Sequence, residues 1–196
     1  MNAGVDTPAI DRKTASDIAL STAELAAVRE MLDRDAIARN MVKYTRALDR
    51  YDPDRVKDAY WPDAIDDHGG FVGNAHAFAD HVYAEQKNGV LKSCSHLIGN
   101  MQVEFVGPTR AQVEFAFMAV AVFNDPDGEG DRDFITVGRY RDLYEKRGGD
   151  WKILNRTVIW DWSRDELSAG NWQRWLRPDC TNFGKNYPDD QIYGRW

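Results

Sequence analysis

Cysteine is nearly missing: two in 196 residues cannot form a disulfide framework, so a reduced, cytoplasmic setting is expected. Cys94 and Cys180 have no motif around them, and the bland reading is two buried or incidental thiols. Basic charge is the minority. The 25 Lys and Arg against 32 Asp and Glu leave a net charge of −7, which excludes the positive surface that nucleic acid needs. Long apolar runs are absent, the longest being the nine residues Phe115 to Phe123, roughly half of a membrane span. The first twenty residues hold no apolar segment of the kind a secretory signal requires. The four histidines are scattered, and His76 and His81 stand five apart, which does not put both on one helix face. No metal and no cofactor are therefore expected, and no internal repeat or linker divides the chain.

What is present reads as one α+β domain. Residues 1–20 lack periodicity and are expected to be a loosely held arm. Ser21-Thr22-Ala23-Glu24 has the form of a capping box, and Leu25, Val28, Met31 and Leu32 follow at helical spacing. A second start at Asp33 to Asp35 leads into Ile37, Met41, Tyr44, Ala47 and Leu48, which suggests a break near Asp33. Pro53 opens a short helix from Asp54 to Tyr60, closed by Trp61-Pro62. Ala64 to His68 suits a short strand, Gly69-Gly70 a turn, and Asn74 the cap of a third helix that Gly89 stops. From Leu91 the period becomes that of long strands: Met101 to Val106, Ala111 to Phe123, and Phe134 to Glu145 paired with Trp151 to Trp162 around Gly148-Gly149. The domain is expected over 21–163, with 164–196 as an aromatic-rich extension.

Two short frames carry the chemistry. Tyr44-Thr45-Arg46-Ala47-Leu48-Asp49 ends the first helix, and Ser95-His96-Leu97-Ile98-Gly99-Asn100 opens a strand 47 positions later. A carboxylate bound to an imidazole fixes the ring tautomer and stabilises the imidazolium, which makes the pair a proton-abstracting device.

Element order and these frames together resemble the SnoaL-like branch of the nuclear-transport-factor-2-like superfamily, over roughly residues 30–163. The resemblance implies a cone-shaped roll, with a strongly curved antiparallel sheet wrapped around a long N-terminal helix and two further helices beside it. Within that branch the chain is similar to scytalone dehydratase, bile-acid 7α-dehydratase, hexachlorocyclohexane dehydrochlorinase and the γ-formaldehyde lyases of lignin-dimer breakdown. It implies catalytic roles for Asp49 and His96, a donor role for Tyr44 and a pocket-facing Arg139 in Gly138-Arg139-Tyr140, though Arg141 and Arg156 are alternatives to Arg139. A second pocket histidine is part of the same resemblance, and His68 is its candidate; Trp61, Asn100 and Trp160 complete the expected substrate-binding set. The neighbouring Asp66 and Asp67 read instead as solvated, turn-forming acids.

The function expected is a cofactor-independent lyase that removes water or formaldehyde from a small, hydroxylated, aromatic substrate. An enolate-type isomerase or cyclase is one alternative, and a non-catalytic ligand-binding or oligomeric subunit of the same fold is another. Five of seven tryptophans lie in the last 37 residues, and Trp160, Trp162, Trp172, Trp175 and Trp196 suggest a packed cover, an aromatic lid, or both. The expected partners are a small-molecule substrate and further copies of the chain, because Phe115 to Phe123 implies a strand covered on both faces. The resemblance places a trimer ahead of a dimer. No membrane partner is expected.

Overall fold

The computed structural model describes residues 20–125, 128, 130–169 and 183–194. Cys180, Trp172, Trp175 and Trp196 lie outside them, which leaves Trp160 and Trp162 of the expected aromatic cover. The described residues divide into two units between Asp33 and Arg34.

In the first unit the capping box forms as expected. The Ser21 backbone N–H and hydroxyl both donate to Glu24 Oε2, at 2.8 and 2.7 Å, and the Glu24 N–H donates back to Ser21 Oγ at 3.3 Å. These contacts satisfy donors that a helix start leaves free. Helix α1 spans Thr22–Asp49 without interruption, so the expected break near Asp33 is not a break in the helix. Leu25, Val28, Met31 and Leu32 are exposed rather than buried.

The second unit contains the rest of α1, α2 (Pro53–Asp58), α3 (Ala75–Lys87) and strands β1 (Tyr60–Asp67), β2 (Val72–Asn74), β3 (Leu91–Phe105), β4 (Arg110–Asn124), β5 (Asp131–Arg147) and β6 (Asp150–Leu167). The strands form one sheet in the order β2-β1-β6-β5-β4-β3. The α+β class is the expected one, but pairing is not purely antiparallel: β1 runs parallel to β6. Strand β1 also begins at Tyr60, taking in the Trp61-Pro62 that sequence alone makes a helix stop, and β6 runs on to Leu167, past the expected boundary at 163. Asn74 caps α3 by accepting from the His76 and Ala77 N–H groups.

The sheet presents alternate residues to one core. Phe115, Phe117 and Ala119 of β4, Tyr140 and Tyr144 of β5, and Ile153 and Val158 of β6 pack with Ile37, Met41, Tyr44 and Leu48 of α1. Two irregularities control which face a side chain takes. A bulge in β3 between Gly99 and Gln102 holds Asn100 at φ 47°, a conformation that asparagine tolerates better than most residues. A second shift, between Val137 and Gly138, moves the β5 partner from Trp162 to Trp160 and leaves Asp161 as the extra residue.

Candidate active site

Asp49 is the last residue of α1, and the way the helix ends positions it. Tyr51 takes the left-handed conformation (φ 60°), the Asp52 N–H reaches back to the Ala47 carbonyl at 2.9 Å, and the Tyr51 N–H reaches Leu48 at 3.3 Å. This is a Schellman ending with tyrosine where glycine is usual. The Tyr51 hydroxyl donates to the Leu91 carbonyl at 3.0 Å, tying the helix end to the first residue of β3, and Gln86 of α3 holds the Leu48 carbonyl at 3.2 Å. The strain of the tyrosine is offset by a tether between the two elements that must meet.

They meet at His96. Asp49 Oδ1 accepts from His96 Nδ1 at 2.6 Å, and Oδ2 accepts the His96 backbone N–H at 2.9 Å. Both oxygens of one carboxylate thus grip one residue, which fixes the ring and leaves Nε2 for other work. Both side chains are nearly buried, 11 % exposed for Asp49 and 10 % for His96. Burial by itself pulls the His96 pKa down. Hydrogen bonds to Asp49 and Cys94, with the charges of both, outweigh it and raise the value to about 9.

Cys94 is not incidental to this geometry, since its Sγ lies 3.7 Å from His96 Nδ1. Asp49, Cys94 and His96 each offer one ligand atom within 4.8 Å of the others, a set that a metal ion could share. A metal at Nδ1 would have to replace the hydrogen bond to Asp49.

Beyond His96 the inner face of the sheet is aromatic. The His96 ring lies 6.3 Å from Phe117, which meets Trp160 edge-on at 5.7 Å and stacks on Tyr140 at 4.4 Å. Trp160 is half exposed, and its Nε1 donates to the His68 carbonyl at 3.2 Å. The His68 ring lies 6.3 Å from Trp160 and stacks on Phe78 of α3 at 4.0 Å. Gly138 makes this packing possible: a Cβ there would sit 2.3 Å from the Ile159 carbonyl oxygen and 2.8 Å from Phe117 Cζ.

Beneath the wall lies a buried charged network that sequence did not reveal. Arg156 is fully buried and holds Asp142 through two bonds of 2.8 and 2.7 Å. Its other contacts reach the Tyr60 hydroxyl at 3.1 Å and Met41 Sδ at 3.2 Å, and its Cζ lies 4.3 Å from the centre of the Tyr44 ring and 4.2 Å from that of Tyr140. Burial raises the Asp142 pKa even though Arg156 pulls against it. Asp66, expected to be a solvated turn residue, is fully buried: one oxygen pairs with His68 Nδ1 and the other accepts from the Tyr60 hydroxyl at 2.6 Å. Asp67 does serve the turn, accepting the Gly69 N–H at 2.9 Å.

The structure therefore brings Asp49, His96, His68 and Trp160 to one aromatic wall and separates the other candidates from it. Arg139 lies on the outer face, bound to Asp161 through two 3.0 Å contacts and to Glu114 at 3.5 Å, so it does not face the pocket. The reason is strand parity: Gly138 and Tyr140 on either side of it point inward. Tyr44 is fully buried in the core, with Tyr140 packed between it and Phe117, and burial lifts its pKa to about 12. Its ring neighbours are Tyr60, Tyr140 and Arg156. Trp61 lies under Arg147 and Lys152 and donates to the Glu145 carbonyl at 2.9 Å, at the far end of β5 from the Thr136 row that His96 joins through Ala119. Asn100 is exposed on the β3 bulge. Arg156 is neither a pocket residue nor a surface ion pair. A separate cleft of about 730 Å³, lined by Arg39, Lys43, Arg46 and Trp151 among others, contains none of the wall residues.

The chain belongs to the SnoaL-like domain family, whose pattern matches residues 29–157. No curated protein matches the sequence. Among solved structures it is similar to a protein of Novosphingobium aromaticivorans DSM 12444 provisionally named scytalone dehydratase, at 23 % identity and TM-score 0.61, over 71 % of this chain and 91 % of that one. It is also similar to the hexachlorocyclohexane dehydrochlorinase LinA type 3 of Novosphingobium barchaimii LL02, at 18 % identity and TM-score 0.61, over 74 % and 96 %. A second Novosphingobium aromaticivorans protein, provisionally named an aromatic ring hydroxylase, matches at 23 % identity and TM-score 0.61, over 69 % and 94 %. At these identities the likeness is one of fold. No described helix is long and apolar enough to cross a membrane.

Proposed function

We propose that this protein is a cofactor-independent lyase in which His96, oriented by Asp49, removes a proton from a small, hydroxylated, aromatic substrate. The observation that carries the reading is the double grip of Asp49 on His96, ring nitrogen and backbone N–H together. A neutral His96 donates Nδ1–H to the carboxylate and presents the Nε2 lone pair; when Nε2 takes the proton, the imidazolium is stabilised by the carboxylate beside it. Pairing makes His96 a stronger base than free imidazole but a scarcer one. With a pKa of about 9, roughly 1 % of the free protein holds the neutral ring at pH 7. An apolar substrate that covers the site would strip water from the ring and favour its neutral form.

The aromatic character of the substrate rests on the wall itself. Phe117, Trp160 and the Phe78-stacked ring of His68 offer edges and faces to a flat molecule. Loss of water and loss of formaldehyde both begin with a proton taken by a base. The names of the structural neighbours, a dehydratase and a dehydrochlorinase, agree with elimination chemistry.

The test is a panel of aryl-propane diols bearing a primary alcohol, together with aryl β-hydroxy ketones, assayed for formaldehyde and for dehydrated product. Turnover of at least one member is expected, unchanged after dialysis against a chelator. His96→Gln should lower kcat about 10² to 10⁴-fold, and Asp49→Asn comparably, with the double variant little worse because the two act as one unit. Full activity in His96→Gln, or activity lost to the chelator and restored by a metal, would overturn the proposal.

A further inference from the structure

We propose that Asp66 and His68 form a second proton-transfer dyad serving the same wall as Asp49–His96, and that His68 delivers the proton which the departing fragment needs. The inference rests on the lyase reading above and supplies the second half of its chemistry.

The imidazole of His68 is held from several sides. Asp66 binds its Nδ1, Phe78 stacks on its face at 4.0 Å with an interplanar angle of 16°, and Trp160 Nε1 grips its backbone carbonyl at 3.2 Å. Asp66 is fixed in turn, because its second oxygen accepts from the Tyr60 hydroxyl at 2.6 Å and that hydroxyl is held by Arg156 at 3.1 Å. A carboxylate with both oxygens engaged cannot swing away, so Nε2 of His68 is left as the free ring nitrogen. The burial gradient points outward: the Asp66 side chain is fully buried, while that of His68 keeps 14 % exposure beside half-exposed Trp160. A buried acid with no route to water is costly in a strand where an apolar residue would pack. The arrangement repeats the logic of Asp49–His96, with a carboxylate behind and an imidazole in front. Both rings border the Phe117–Trp160 pair, His96 beside Phe117 and His68 beside Trp160.

Two dyads match what either lyase reaction demands, since each moves two protons at different atoms. In dehydration the C–H proton goes to His96 and its electron pair forms the C=C bond. The C–O bond breaks, and the oxygen takes a proton from His68 and leaves as water. In formaldehyde release the hydroxyl proton goes to His96 and the oxygen pair forms the new carbonyl. The C–C bond breaks, and the carbon that keeps the electrons takes a proton from His68. After product leaves, solvent carries the proton from His96 back to His68, so no oxidant or cofactor enters the balance. A lone histidine would have to carry one proton between both atoms; two fixed imidazoles act at both ends at once.

The experiment uses the full-length protein and whichever panel compound it turns over. His68→Gln should lower kcat about 10²-fold or more while KM changes little, because the lost interaction belongs to the transition state. Tyr60→Phe, which keeps the ring but removes the bond to Asp66, should lower kcat by a smaller factor. In His68→Gly, added imidazole should restore part of kcat, which repair of a merely structural defect would not do. Raised KM with kcat retained in His68→Gln would make His68 a binding residue and overturn the inference, as would failure of imidazole to rescue a folded His68→Gly. Loss of kcat in His96→Gln but not in His68→Gln would sink the second dyad and leave the lyase reading standing, whereas activity retained in His96→Gln would sink the reading itself.

Discussion

The proton on His96 should have opposite effects on stability and on catalysis across one pH window, and the structure sets that window. The ordinary histidine value is 6.5, and in the folded protein it is raised to about 9. A group whose folded pKa is raised stabilises the fold fully below its unfolded pKa and loses that contribution as pH climbs through the folded value. At about 1.4 kcal/mol per unit, the shift corresponds to about 3 kcal/mol lost between pH 6.5 and pH 9 and just above. Asp49→Asn removes the carboxylate but leaves the burial, which favours the neutral ring. The variant should therefore be less stable at low pH and should lack the alkaline loss. Urea unfolding at fixed ionic strength, from pH about 6 to about 10, measures the difference between the two proteins, so other groups that titrate in this range cancel. Two-dimensional NMR of the imidazole nitrogens gives the His96 titration directly. In His68→Gln, where the second imidazole no longer titrates, the residual kcat/KM should rise over the same window, because the neutral His96 ring is the form that accepts the substrate proton. Equal slopes in wild type and Asp49→Asn, or an NMR titration of His96 near 6.5, would refute the coupling.

Gly138→Ala should cost more than about 2 kcal/mol in urea unfolding, because the clash at 2.3 Å is with the backbone oxygen of Ile159 and no rotamer relieves it; a variant of normal stability would show that the β5–β6 bulge can open. Arg156→Leu should cost about 3–5 kcal/mol by leaving Asp142 buried without its partner, and adding Asp142→Leu should recover much of that loss; a double variant worse than the single would show that Arg156 acts mainly through Tyr60 and Asp66 rather than through Asp142. The outer row Leu97, Met118, Val137 and Trp162 crosses four strands in register and leaves three large apolar side chains exposed. Burial of that row in a homo-oligomer, trimer or dimer, predicts a multiple of 22.4 kDa by light scattering and a shift to monomer in Met118→Glu; a 22.4 kDa particle for the unaltered chain at micromolar concentration would dispose of it.

What sequence alone determined here is the chemistry decided within a few residues. The Ser21–Glu24 box and the Asn74 cap appear because their partners are local and the spacing is geometric. The α+β class follows from the change of period after Gly89, and the pairing of Asp49 with His96 was legible because their frames resemble a family's. Tertiary structure decided everything that depends on which strand lies beside which and on which face a residue takes. Asp66 looked like a turn acid until parallel pairing set β1 against β6 and carried it into the core opposite Arg156. Arg139 was assigned to the pocket, but side-chain direction alternates along a strand, and Gly138 and Tyr140 already occupy the inner face. One extra residue at Asp161 lets Trp160 and Trp162 face opposite sides of the sheet although they stand two apart. The network of Arg156, Asp142, Tyr60 and Asp66 spans 96 positions of chain between its most distant hydrogen-bonded partners. No periodicity encodes it: each member gains its partner only when the sheet closes, and a buried charge persists only where such partners converge.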